Sequence, residues 1–186
     1  SYSDLNNEVI VKILSLIGGK VLTASSLETA ELSKLLDNSY RNSIFALANE
    51  TVLSANALGI DGLEVISLCN DSYPRNDIKR PGFVSGYCLG NDPYILESSL
   101  EERKFINKKR NSIWLFSRNV NDNLIDYCVD LVCNNVKVNN AEILLLGMSF
   151  KENVADFRDS HSIEFIKQLK VRNKEYLLHV YDPFIN

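Results

Sequence analysis

What the sequence lacks narrows it first. It has only four cysteines, Cys69, Cys88, Cys128 and Cys133, and two histidines, His161 and His179. No two cysteines form a CxxC pair and no His/Cys set has metal-ligand spacing, so no metal site is expected and reduced thiols in a cytosol are the default. The eight glycines never fall as GxGxxG or GxxxxGK[ST], which leaves the chain without a nucleotide-binding glycine loop of its own. Basic residues are outnumbered 20 to 24, for a net charge of −4. That argues against a nucleic acid or an anionic membrane as partner, since both need a basic face. No apolar run approaches the roughly 20 residues of a membrane span, and "SYSDLNNEVI" is not a signal peptide. Methionine occurs once, at 148, so Ser1 is expected not to be a translation start and the chain to be an excised piece of a longer one.

What is present suffices for a core: 186 residues, 45% of them hydrophobic, make one large or two small domains. Residues 6–17 carry apolar side chains at helical spacing and stop at Gly18-Gly19. Ser25 and Glu28 then read as a capping box that opens a helix running without Gly or Pro to Leu58. Its apolar positions include Leu32, Leu35, Leu36, Ile44, Phe45, Leu47, Val52 and Leu53, more than one small domain covers. Either a partner subunit or intrachain packing takes them up. Residues 62–69 read as a short helix, 71–93 as a long structured loop rich in Gly and Pro, 94–110 as a charged helix and 113–135 as an amphipathic one. Near residue 140 the pattern changes. "AEILLLGMSF" is a continuous apolar run, expected as a buried strand, and a helix near 160–171 and "YLLHVYDP" complete a βαβ unit.

Three clusters carry residues suited to chemistry. On the long helix Lys34, Asn38 and Arg41 stand at i, i+4 and i+7, on one face. That face is either solvated or functional. Cys88 lies in "RPGFVSGYCLGNDPY" between Gly86 and Gly90, with Asp92 four residues on and Arg75, Lys79 and Arg80 upstream. Glycines free the backbone for close approach and cations favour a thiolate, so Cys88 is either a small hydrophobe in a loop or a presented nucleophile. Its three siblings read as packing residues. The third cluster, "GMSFKENVADFRDS", sets Lys151, Asp156 and Arg158 after the first strand of the α/β unit, where parallel sheets bind ligands. It is either an anion site or an ordinary solvated loop.

Together these segments resemble, in order and over nearly the whole chain, the UDP-glucose/GDP-mannose dehydrogenase family of nucleotide-sugar 6-dehydrogenases. "AELSKLLDNSYRNSIFALANE" resembles the family's central-domain helix. "YPRNDIKRPGFVSGYCLGNDPY" resembles its catalytic-cysteine segment, and "SRNVND" the helix leading into its last domain. "LLGMSFKENVADFRDS" and "VYDPF" resemble the opening of its nucleotide-sugar-binding domain. Tyr73-Pro74-Arg75 and Arg41 are most similar to the branch that oxidises UDP-N-acetylmannosamine or UDP-N-acetylglucosamine. Ser85 and Gly90 replace a glycine and a proline usual around the cysteine, Tyr73 a histidine usual in that branch, and His161 a frequent proline.

The resemblance implies a mixed fold: an all-α central dimerisation domain with a long helix, then the start of an α/β, Rossmann-like UDP-binding domain. Residues 1–24 would be the remnant of an NAD-binding Rossmann domain, 25–136 the central domain and 137–186 the start of the UDP-sugar domain. It implies a cytoplasmic, NAD-dependent, four-electron oxidation of a UDP-N-acetylhexosamine at C6, for surface polysaccharide, by a homodimer formed through the long helix. Cys88 would be the nucleophile, Lys34 and Asn38 its acid/base and oxyanion partners, and Asp92 the base for the hydroxyl or hydrolytic water. Arg41, Tyr73, Arg75, Ser85, Phe150 and Lys151 would bind the UDP-sugar, and Arg158 would reach NAD. The isolated fragment is expected to be inactive. Two alternatives stay open: UDP-glucose or GDP-mannose as substrate, and a non-catalytic dimerisation module.

Overall fold

A computed structural model describes residues 4–102 and 112–185 of the chain, with side chains from residue 8 onward. The chain divides into two compact units, Ser1–Lys34 and Leu35–Asn186. The first unit holds α1 (Asp4–Ser15) and the beginning of α2 (Leu27–Ala57). Past α1, Gly18 and Gly19 take φ of +86° and +111°, which only glycine adopts without strain. The cap of α2 is Ser26 rather than Ser25: its Oγ accepts the Thr29 N–H at 3.1 Å. The helix starts at Leu27, so the capping spacing falls one residue later than the expected Ser25–Glu28 pair.

In the second unit α2 continues, followed by α3 (Gly62–Asn70), α4 (Tyr87–Glu102), α5 (Ile113–Asn135), β1 (Glu142–Leu146), α6 (His161–Arg172) and β2 (Leu177–Tyr181). The fold class is the expected one, a helical region followed by a βαβ start. Asp61 caps α3 by accepting the Leu63 N–H at 2.8 Å. Gly62 lies against Val52, where a Cβ would sit 2.8 Å from that residue's Cα, so α3 can cross α2 closely only with glycine there. The charged helix expected at 94–110 is seen to Glu102; its remainder lies outside the described residues.

The face that the second unit's α2 buries is lined by Asn38, Ser39, Asn42 and Asn49 with Ala46, Ala48 and Ala55, all at 4% exposure or less, while Leu36 and Leu47, two of the apolar positions left to a partner or to intrachain packing, are exposed. Small and amide side chains let neighbouring backbone come close and give it hydrogen-bond partners, which leucine cannot do. The loop expected over 71–93 ends early, because α4 begins at Tyr87 and takes in Cys88, Gly90 and Pro93.

β1 and β2 pair in parallel, Glu142 opposite Leu177 through Leu146 opposite Tyr181. The expected doubly buried strand is half right. Ile143, Leu145 and Leu178 pack toward a core of Ile125, Val129, Phe165, Leu169 and Tyr176, whereas Leu144 and Leu146 are exposed. Among the described residues, side chains of α5 and α6 pack against one face of the pair, so a run suited to burial on both sides alternates here. Each fully buried core side chain contributes roughly 1.5–3 kcal/mol. Burial raises the Cys128 thiol above its ordinary range at the edge of this core, as for a packing residue, and Cys133 packs there too, whereas Cys69 is exposed and does not.

Candidate active site

Cys88 stands exposed in the first turn of α4, and Asp92 follows one helical turn later on the same face. From α2, the buried Asn38 donates its Nδ2 hydrogen to Asp92 Oδ2 at 2.5 Å. Arg41 donates to Asn38 Oδ1 at 2.5 Å and to Asp37 at 3.0 Å. An amide that donates through one end and accepts through the other thus joins a carboxylate to a guanidinium. Asn38 is 1% exposed, so the reading of this stripe as a solvated face holds for Arg41 and not for Asn38.

A second group meets the turn from the loop after β1. Gly86 takes φ +91°, and a Cβ there would lie 2.8 Å from the Phe150 ring. Glycine is therefore required twice over, by conformation and by space. Gly90 is helical and uses none of this freedom, so of the two glycines flanking Cys88 only Gly86 shapes the backbone. The Gly86 N–H donates to Asp159 O at 3.2 Å, and Ser85, 8% exposed, donates to Phe150 O at 3.4 Å. The Lys151 ammonium sits 5.5 Å from the centroid of the Phe150 ring. His161 opens α6 edge-on to Phe83. Burial, then the Arg118 charge, push its pKa below the usual histidine value.

The remaining candidates make no hydrogen bond to these groups among the described residues. Tyr73 and Arg75 are exposed and pair with each other, the guanidinium donating to the Tyr73 hydroxyl and lying 4.9 Å from its ring centroid. Lys34 lies exposed at the end of the first unit. Arg158 is 83% exposed in its side chain and clasped by Asp156, at 2.7 Å from Nη2 to Oδ2. Hydrogen bonds from the Arg158 side chain and N–H hold the Asp156 carboxyl down at about 2.

The loop amides that would suit a phosphate are already taken. Met148 and Ser149 donate their N–H groups to Asp182 Oδ2 at 2.8 and 3.0 Å, and the Met148 and Phe184 N–H bonds, with those of Ser149, lower Asp182 to about 2. With no glycine cradle, these amides engaged and Arg158 turned onto Asp156, the described residues do not by themselves form a dinucleotide site.

What sequence reasoning missed is the frame behind the cysteine. Asn49 clamps Gly82 like a neighbouring strand, its Oδ1 accepting the Gly82 N–H at 2.8 Å and its Nδ2 donating to Gly82 O at 3.0 Å. Asn49 also donates to Asn121 Oδ1 at 2.9 Å, and Asn121 donates to Asn42 O and Oδ1 at 2.9 and 2.8 Å. Arg118 completes the set. The signal was in "SRNVND": Arg118 and Asn121 share a helical face with the buried Ile125, an odd place for polar groups unless they are bonded.

Comparison with known proteins now places the chain. The family model described as UDP-glucose/GDP-mannose dehydrogenase family, central domain, matches residues 28–123, and the same family's UDP binding domain matches residues 144–186. The chain belongs to the UDP-glucose/GDP-mannose dehydrogenase family. It is 31% identical to the UDP-N-acetyl-D-mannosamine dehydrogenase of Pyrococcus horikoshii, over 92% of this chain and 40% of that protein. It is 30% identical to the UDP-N-acetyl-D-glucosamine 6-dehydrogenase of Pseudomonas aeruginosa, over 88% of this chain and 38% of that one. The solved structure of UDP-D-ManNAc dehydrogenase from Pyrococcus horikoshii superposes with a TM-score of 0.77 at 29% identity, covering 97% of this chain and 42% of that one. The chain spans about two fifths of the length of the curated relatives it matches. Among the described residues no helix is long and apolar enough to cross a membrane.

Proposed function

We propose that this chain is the central part of a cytoplasmic nucleotide-sugar 6-dehydrogenase. The whole protein would oxidise the C6 alcohol of a UDP-N-acetylhexosamine to the carboxylate, with NAD as oxidant, for surface polysaccharide synthesis. The observation that carries this reading is the Asn38–Asp92 bond, which ties α2 to the carboxylate one turn beyond Cys88. Family membership and relatives named for UDP-N-acetylhexosamines support the substrate class.

Cys88 Sγ adds to the C6 aldehyde carbon and holds it, as a thiohemiacetal and then a thioester, where free water would release it half-oxidised. Lys34 stabilises the oxyanion of the adduct. Asp92 takes the proton of the water that opens the thioester, and Asn38, donating to its Oδ2, keeps the carboxylate aimed. Arg41, Ser85, Phe150 and Lys151 grip the UDP-sugar around the cysteine turn. Tyr73 and Arg75 bind it from the exposed 71–81 segment, and Arg158 reaches the NAD. Residues 25–136 form the central domain and 137–186 open the UDP-sugar domain. The exposed Leu32, Leu36, Tyr40 and Leu47 of α2 support a homodimer through the long helix. This chain alone is inactive.

The test is a panel of UDP-sugars and GDP-mannose with the full-length protein. Two NADH per UDP-N-acetylhexosamine is the expected result; release of NADH from none of the sugars contradicts the proposal, and release from UDP-glucose alone contradicts the substrate class.

A further inference from the structure

Arg118 is a buried charge with an unusual set of partners. Its side chain is 1% exposed. Nη2 donates to Val84 O at 3.0 Å, and Nη1 donates both to Leu89 O at 3.3 Å and to Asn42 Oδ1 at 3.0 Å. On its own helix Asp122 accepts from Nε at 3.1 Å and lies 2.8 Å from Nη2, which balances the charge. Val84 and Leu89 bracket the segment Ser85-Gly86-Tyr87-Cys88. One guanidinium therefore holds both ends of the turn that presents the thiol.

Pro93 explains why one of those carbonyls is free. In a helix the carbonyl of Leu89 accepts from the N–H four residues on, and residue 93 is a proline with no N–H. Arg118 supplies the donor that the proline withholds. The third acceptor, Asn42, lies one turn beyond Asn38 on α2, the residue bonded to Asp92. The same guanidinium thus ties the cysteine turn to the helix that holds the carboxylate.

We propose that Arg118 is a positioning residue for Cys88, fixing the direction of the thiol by binding the Val84 and Leu89 carbonyls and the Asn42 amide together. The proposal rests on the reading of Cys88 as the nucleophile. Lysine offers one donor atom in place of a planar fork and cannot span three acceptors, so Arg118→Lys keeps the charge and loses the geometry.

The experiment uses the full-length protein with R118K, R118M, P93A and the R118M/P93A and R118K/P93A pairs. The first readout needs no substrate: the rate of Cys88 alkylation by iodoacetamide, followed by mass spectrometry against Cys69, which is exposed on α3 and outside the clamp. R118M is expected to change the Cys88-to-Cys69 ratio by about fivefold or more. Turnover should fall about 100-fold, the scale of a misplaced reacting group. KM for the UDP-sugar should move by less than about threefold, since the substrate contacts remain. Pro93→Ala returns an N–H to Leu89, so the loss on removing Arg118 should shrink by about threefold or more in that background. R118K should behave as R118M does, and it decides the matter, alone and with P93A, if R118M does not fold. An alkylation ratio and kcat within about twofold of the parent in R118K, or a loss confined to KM, overturns the proposal. A shifted ratio in a protein that oxidises no UDP-sugar upholds the clamp and overturns the dehydrogenase reading.

Discussion

The cysteine turn and the loop after β1 touch at Gly86 and Phe150, yet they are held in different ways. The turn is fixed from inside. Asn49 pins Gly82, Arg118 pins Val84 and Leu89, and all three clamping amides, Asn42, Asn49 and Asn121, are fully buried. The loop is fixed by carboxylates nearer the surface: Asp182 gathers the Met148 and Ser149 amides, and Asp156 turns back onto Arg158. Buried hydrogen bonds with no competing water are costly to lose, whereas exposed pairs contribute little and reorganise readily. The difference teaches a division of labour: under the proposed function, the internally bonded turn seats the reacting thiol and the more exposed loop meets the ligand.

The sharpest way to break that division is at the contact between the two. Gly86→Ala forces a side chain into a left-handed conformation and against the Phe150 ring. It should destabilise the full-length protein by about 2 kcal/mol or more in urea unfolding and abolish turnover. A loss below about 0.5 kcal/mol would mean the two segments are not packed as described.

A smaller effect should come from His161, which opens α6 beside Phe83 of the turn. Arg118 and Asp122 face it from α5 and Glu164 from α6, and burial with Arg118 outweighs the two carboxylates, so its pKa lies below the ordinary 6.5. A depressed folded-state value means the unfolded chain takes up the proton first. Its stabilising contribution is whole above about pH 6.5 and is lost as pH falls through the lower folded value. Stability measured from pH 7 to pH 5 should decline more steeply in the parent than in His161→Gln; equal slopes would remove His161 from the account.

How much of this was legible beforehand differs by region for a physical reason. The α5 helix was read to the residue, and the βαβ start was plain, because apolar periodicity reports burial against a core. The cysteine turn was legible as a candidate site through Gly86, Cys88 and Asp92, but its secondary structure was not. Gly90 and Pro93 read as loop punctuation, whereas the helix runs through that proline and a donor from α5 meets the carbonyl it leaves free. The polar face of α2 defeated periodicity altogether, since Asn42 and Asn49 are buried by their bonds and not by their hydrophobicity. Exposure misled in the other direction at Leu144 and Leu146, where an apolar run meets a sheet covered on one side.

The central claim is that Cys88, among four thiols, is the one that carries the sugar. The direct measurement is mass spectrometry of acid-quenched full-length Asp92→Asn protein after incubation with a UDP-N-acetylhexosamine and NAD. Slowing the hydrolytic step should let the covalent intermediate accumulate. The account predicts a sugar thioester on the peptide containing Cys88 and none on those containing Cys69, Cys128 or Cys133. An adduct on another cysteine, or unimpaired uronate formation in Cys88→Ser, would contradict it.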